Sequence, residues 1–275
     1  MRRGLVIVVT ALALHACSSS YVTRGDGGTA APEAGDDAGS EPESGLLEGG
    51  DATQEGGTCV SVPTPSLPSR GGPACPSDAS ACFPADMTSY IPRWVPPLAG
   101  LPHLGACTST QIADALTACF STTSTPSTCS PWTSANTTCS ACLMTPATAS
   151  NFGAVIVSGT EDLVNLGACV TLAEPCNAAC GEAVQADRLC SFAACDPTQG
   201  PCLVTSTASL AAFNACESEA DTTCGACSGF GNAATQCLDA LVADSSKHAA
   251  ATLCGLGSSD FNSRYTAVAS FLCGP

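Results

Sequence analysis

The residues with the most chemistry to offer are two cysteine pairs, Cys139/Cys142 and Cys224/Cys227, each with two residues between the sulfurs. That spacing serves redox dithiols, where one thiolate attacks and its neighbour resolves, and zinc sites, where two thiolates share one metal face. A redox pair of this type needs a strand before it and a helix opening at it within a βαβ unit, and the Thr-Thr that precedes each pair does not supply that context. Zinc would need thiolates that survive export into an oxidising compartment, and no histidine pair accompanies either motif. The default for both pairs is a disulfide from each sulfur to another segment. Thiol–disulfide exchange at Cys139, Cys142, Cys224 and Cys227 is the alternative.

A second constellation, Asp244-Ser245-Ser246-Lys247-His248, gathers acid, hydroxyl, amine and imidazole in five residues. Adjacency in sequence is poor evidence of a hydrolytic triad, because nucleophile, base and orienting acid normally converge from separate segments. No GxSxG elbow is present, and outside the N-terminal segment the chain has two histidines, His103 and His248. The run reads instead as a capped helix start, with Ser245 or Ser246 capping a short helix into Cys254. His103 follows Pro102 and reads as a surface residue. No glycine-rich phosphate loop, HExxH helix or EF-hand spacing occurs. These absences assign no catalytic, cofactor-binding or metal-binding residue, and the expectation is a protein that is not an enzyme.

The elements that position these cysteines are repeated. TTCSAC, Thr137 to Cys142, returns 85 residues later as TTCGAC, Thr222 to Cys227, and 26 residues then separate Cys142 from Cys169 and Cys227 from Cys254 alike. Further on, Cys176 and Cys180 align with Phe261 and Tyr265, and with gaps of two residues in total Cys190 aligns with Cys273. Upstream, Cys119 and Cys129 fall within a few residues of the register of Cys202 and Cys216. Two copies with six cysteines each make a tandem duplication, not a solenoid, which needs three or more units.

Helical periodicity begins at the capping box Thr108-Ser109-Thr110-Gln111, after which Ile112, Leu116, Cys119 and Phe120 share one face. A weaker pattern runs from Phe152 to Leu172, and Glu174 to Cys195 is the clearest helix, with Cys176, Cys180 and Cys190 on one arc and Gly181 as a local weakness. In the second copy Leu210 to Ala215 and Ala233 to Ala243 read as helical. A last helix capped near Asp260 puts Phe261, Tyr265, Val268 and Leu272 inward. Sulfur in one copy and rings in the other at the same inward positions suit burial rather than chemistry.

Composition sets the compartment. Twenty-one cysteines in 275 residues are far outside cytosolic usage and point to a disulfide framework in an oxidising environment. The N-terminus agrees: Arg2-Arg3, then an apolar run from Leu5 to Leu14, then small residues, a signal peptide too short to span a membrane as a helix. Its end, Leu14-His15-Ala16-Cys17, resembles the lipobox of bacterial lipoproteins, with His15 departing from the small or hydroxylated residue usual there. The resemblance implies cleavage before Cys17, a diacylglycerol on its thiol, further acylation of its amino group, and, with Ser18 and Ser19 following, passage to the outer membrane. Ordinary cleavage after Ser18 is the other reading of these residues.

Residues 18–57 are Gly, Ala, Ser, Pro and acid, with nine acids against Arg24, a net of −8. Such a stretch cannot bury enough surface to offset its ordering entropy, and reads as a disordered tether with a span of roughly 35 Å. Its charge keeps it off anionic headgroups. Residues 58–275 carry fifteen acids against five bases. Nucleic acid is excluded as a partner by the lack of clustered Lys and Arg. The acidity otherwise suits a soluble exported surface, or attraction of cationic ligands such as calcium.

Cys59 to Leu104 holds ten prolines and should run extended, with Tyr90 to Pro97 either a lid on its own core or a strap for a partner's groove. The expected architecture is therefore a mainly α, small, disulfide-rich protein: signal peptide 1–16, linker 17–57, proline-rich segment 58–104, and helical cysteine-rich modules 105–192 and 193–275. The expected role is lipid-anchored display of a binding or structural domain, held to the membrane through Cys17, with a protein or envelope polymer as the ligand.

Overall fold

The computed structural model describes residues 60–74, 81–121, 124–158, 161–196, 200–204, 207–222, 225–258 and 260–275. The signal segment, Cys17, the linker, Cys59, Cys75 and Cys224 lie outside the described residues. What is described is mainly helical and stapled by disulfides. In chain order come α1 (Ser109–Cys119), α2 (Pro126–Ala135), α3 (Thr137–Leu143), β1 (Met144–Pro146), β2 (Val155–Ser158), β3 (Glu161–Val164), α4 (Leu166–Ala173), α5 (Ala178–Cys195), α6 (Thr207–Thr222), α7 (Ser228–Ala243), α8 (Ala249–Leu253) and α9 (Phe261–Cys273).

Local chemistry starts the helices. Thr108 Oγ1 accepts from Gln111 N at 3.2 Å and Gln111 Oε1 accepts from Thr108 N at 2.8 Å, the reciprocal box that the sequence predicts for α1. Thr125 and Thr128 build the same box at α2, with Pro126 at its first position. Asp260 Oδ1 accepts from Ser263 N at 2.9 Å and caps α9. That helix buries Phe261, Tyr265, Val268 and Leu272 as its periodicity requires.

The duplication holds in sequence but not throughout in conformation. TTCSAC forms α3, whereas in TTCGAC helix α6 ends at Thr222 and Gly225 has φ +89°. Ser140 occupies the equivalent position in the first copy, and only glycine takes that left-handed conformation without strain. Downstream, Val155-Ile156-Val157 forms β2 while the aligned Ala240-Leu241-Val242 completes α7. The β-branched run suits a strand, and Ala-Leu suits a helix. The pattern read from Phe152 to Leu172 is thus a hairpin followed by α4. In the sheet, β2 pairs in parallel with β1 and antiparallel with β3.

The described parts of the proline-rich segment, 60–74 and 81–104, are extended and lie on the body. Gln185 of α5 clamps Val95, accepting from its N at 2.7 Å and donating to its O at 3.1 Å. Asn177 does the same for Val62 N (3.0 Å) and Val60 O (2.9 Å). Tyr90 packs edge-on against Phe230 with ring centroids 6.0 Å apart, and Val95 is buried. Ile91 points away and is 63% exposed.

The core ignores the boundary between copies. One cluster joins Ile112, Phe120, Leu143, Val170 and Val184 to Leu241, Phe261, Tyr265 and Leu272. A second gathers Ala194, Phe213, Ala220 and Phe230 with Met87 of the extended segment. Position 192/193, where the repeat divides, falls inside α5. One inward assignment needs correction. Cys180 and Tyr265 are both buried, but Cys176 is exposed where its counterpart Phe261 is buried, because residues 175–177 form a 3-10 turn and the helical register does not reach back to them.

Gly181 has a packing role. A Cβ there would stand 2.0 Å from Thr171 Oγ1 and 2.3 Å from Gly167 O, and one on Gly167 would stand 2.6 Å from Gly181 O. Helices α4 and α5 cross at these two glycines. Gly181→Ala is expected to lower stability by about 1 to 3 kcal/mol despite the better helix propensity of alanine. Thermal unfolding checks this, with exposed Glu182→Ala as a control that should stay within about 0.5 kcal/mol.

Candidate functional site

The sulfurs of the first CxxC pair do not bond each other. Cys139 is joined to Cys107 at the start of α1, and Cys142 to Cys273 at the end of α9. In the second pair Cys227 is joined to Cys190 of α5, and Cys224 lies outside the described residues. Cys139, Cys142 and Cys227 are each 1 to 2% exposed. A disulfide sulfur is neither nucleophile nor metal ligand until it is reduced, and these three are screened from a reductant.

Three of the bridges are symmetrical under exchange of the copies. Cys142 of the first copy bonds Cys273 of the second, and their equivalents Cys227 and Cys190 bond in the opposite sense. Cys169 bonds its own equivalent, Cys254. Each copy therefore closes the other. The remaining bridges do not repeat: Cys119 bonds Cys129, whereas Cys202 bonds Cys82 and Cys216 bonds Cys195, and Cys180 bonds Cys237. The sulfurs of Cys82, Cys202 and Cys216 lie within 4.8 Å of one another. Their closeness comes from two adjacent disulfides, which leaves no thiolate for a metal.

The run Asp244 to His248 is pulled apart. Asp244 turns to Ser246, whose Oγ donates to Oδ1 at 3.0 Å, and to Lys247, whose hydrogen bond is the main reason its carboxyl is held below the usual range. His248 turns inward, 3% exposed, with Nδ1 3.5 Å from Glu174 Oε2. The expected serine cap is absent: α8 starts at Ala249 after His248, and Glu174 Oε1 accepts from Ala250 N at 3.4 Å. His103 is exposed as expected and packs edge-on against Phe271 at 5.2 Å.

Sequence reasoning missed the buried acids. Asp187 of α5 is 9% exposed and meets Asp221 of α6, with Ser191, Arg188 and Tyr90 around them. Burial, and then the neighbouring Asp221 charge, push the Asp187 carboxyl up to about 8. The signal was present in the spacing, since Asp187 sits between Val184 and Cys190 on the inward arc of α5. Two of the open concavities among the described residues have volumes of about 420 Å³. One lies among Pro126, Ser130, Thr133, Met144 and Val157, the other among His103, Ile112, Leu253 and Phe271. Neither lining includes an acidic, lysine or arginine side chain. Among the described residues, no helix is long and apolar enough to cross a membrane.

Comparison of the chain with protein families, curated proteins and solved structures finds no match. The pairing is directly testable by peptide mapping of unreduced protein. Cys142 is expected linked to Cys273 and Cys190 to Cys227, and a peptide linking Cys139 to Cys142 would overturn the assignment. Replacing Cys142 and Cys273 together by serine is expected to lower stability by about 2 to 5 kcal/mol in denaturant unfolding.

Proposed function

We infer from the eight disulfides among the described residues that the protein works in an oxidising, exported environment. We propose that the chain is a lipid-anchored protein of a bacterial cell envelope, held through Cys17 to the outer membrane, and that its acidic linker presents a disulfide-stapled helical body for binding or structural work rather than catalysis. The crossed pairing of Cys142 with Cys273 and of Cys190 with Cys227 supports the stapled-scaffold part of the reading, and the lipobox-like residues ending at Cys17 support the anchor. A scaffold uses each sulfur to tie distant segments. A thiol–disulfide enzyme needs its two CxxC sulfurs to open and close on each other, so the same pairing weighs against the redox alternative.

The anchor would work by burial of acyl chains. One chain gives marginal, reversible binding, and two or three give stable anchoring. The linker then sets the distance of the body from the lipid surface, roughly 35 Å for a flexible coil of this length. Fractionation of the natural host tests the reading. Wild-type protein is expected in the membrane fraction with an acyl adduct on Cys17, and Cys17→Ser in the soluble exported fraction. Wild-type protein free of acyl groups and beginning after Ser18 would sink the anchor.

A further inference from the structure

Cys176 stands apart from the other cysteines. It is disulfide-bonded, yet none of the eight bridges already described uses it. Among the described residues it is also the one exposed cysteine: Cys82 is half-buried and the others are buried. Cys17, Cys59, Cys75 and Cys224 are the candidates for its partner, and the fold separates them. Cys176 Sγ lies 3.9 Å from Val60 O, the carbonyl to which Asn177 Nδ2 donates at 2.9 Å, while Asn177 Oδ1 accepts from Val62 N at 3.0 Å. The start of the extended segment is thus fixed against the turn that carries Cys176. Cys59 precedes Val60 by one peptide bond, which puts its Cα about 3.8 Å from that of Val60, and a disulfide needs Cα atoms less than about 7 Å apart.

The other candidates belong elsewhere. Gly72 N donates to Ala226 O at 2.7 Å, and a Cβ on Gly72 would stand 1.9 Å from Gly225 O, so residues 72 and 225 touch. Cys224 follows that contact by one residue and Cys75 by three, which leaves them at one corner of the body. Cys190 of α5 marks the same corner, with Sγ 3.8 Å from Ala226 O. From Cys190 back to Ala178, at the start of α5, the helix runs about 18 Å, so Cys224, within roughly 7 Å of Ala226, is too far from Cys176 to bond it. Cys75 and Cys224 are left to each other. Cys17 is separated from Val60 by the whole acidic linker, and closing that loop costs entropy that Cys59 does not meet.

We propose that Cys176 pairs with Cys59, and that this bridge is a thiol-exchange site at which an exported dithiol unlocks the linker from the body. An attacking thiolate bonds one sulfur of the pair, the S–S bond breaks, and the other sulfur leaves as a thiolate that takes a proton from water. The second thiol of the dithiol then resolves the mixed disulfide. The dithiol ends as a disulfide, and Cys59 and Cys176 have gained its two electrons and two protons. Burial closes the other described bridges to such an attack, and the exposed sulfur of Cys176 is open to it. Once the bridge opens, residues 60–62 keep the Asn177 clamp and the packing of Val62 on the core. The pairing stands whether or not Cys17 is acylated.

Partial reduction of the exported, natively folded protein tests the site. Low-millimolar dithiothreitol without denaturant, an acid quench, alkylation and peptide mapping read which thiols appear first. Cys59 and Cys176 are expected to be alkylated together, at least about tenfold faster than any cysteine of the eight described bridges. Unreduced protein should yield a peptide linking Cys59 to Cys176. A link from Cys176 to Cys17, Cys75 or Cys224 overturns the pairing, and alkylation of Cys142 or Cys190 as fast as that of Cys176 overturns the exchange site. The Cys59→Ser, Cys176→Ser double variant is expected to keep the eight bridges and to gain cleavage by a non-specific protease between residues 60 and 66. Partially reduced wild-type protein should gain the same cleavage, and its absence there overturns the unlocking. If the double variant does not fold, the wild-type protein decides alone.

Discussion

The Cys169–Cys254 disulfide joins equivalent residues of the two copies, and the fold is arranged around it. Helix α4 carries one sulfur and the residue that ends α8 the other, so the beginnings of the two C-terminal halves are tied together. From there each copy sends its last helix across the other, α5 toward Cys227 and α9 toward Cys142, and a further bond fixes each crossing. Neither half has a closed interior without its partner, which is why Tyr265 and Leu272 of the second copy lie in one cluster with Ile112 and Leu143 of the first. A duplicated chain has thus become a single interlocked body.

That arrangement compensates for a core poor in large side chains. Aromatic residues make up 5% of the chain, and glycines stand where helices α4 and α5 cross. Close approach of backbones at Gly167 and Gly181 gives tight packing from small residues, but it buries little apolar area. The few rings are placed where they count. Tyr265 lies over Phe120 at 5.0 Å and donates its hydroxyl to Ile112 O at 3.0 Å, so its burial leaves no unmet donor. Disulfides do the rest by restricting the unfolded chain.

Polar groups inside the body follow a second logic. Gln185 and Asn177 use their amides as short stretches of strand edge, holding the extended segment through its backbone and so without regard to its side chains. Asp187 and Asp221 sit under the same segment beside Tyr90.

The amino-acid sequence by itself pointed to an oxidising environment and determined the helical class, the duplication and the starts of α1 and α9, because cysteine number, 3.6-residue periodicity and capping boxes are local properties that tertiary packing did not override. It also led to the expectation that CxxC sulfurs bridge to other segments. It did not reveal which segments, since loop lengths permit many pairings and only the crossing of the copies brings Cys142 to Cys273. The strand–helix divergence at Val155 and Ala240 was written in β-branching, yet the repeat argued for sameness and masked it. The inward turn of His248 to Glu174, the exposure of Cys176 and the meeting of Asp187 with Asp221 were decided by tertiary structure alone, because each depends on what a distant segment leaves beside a side chain, and spacing along one helix cannot state that.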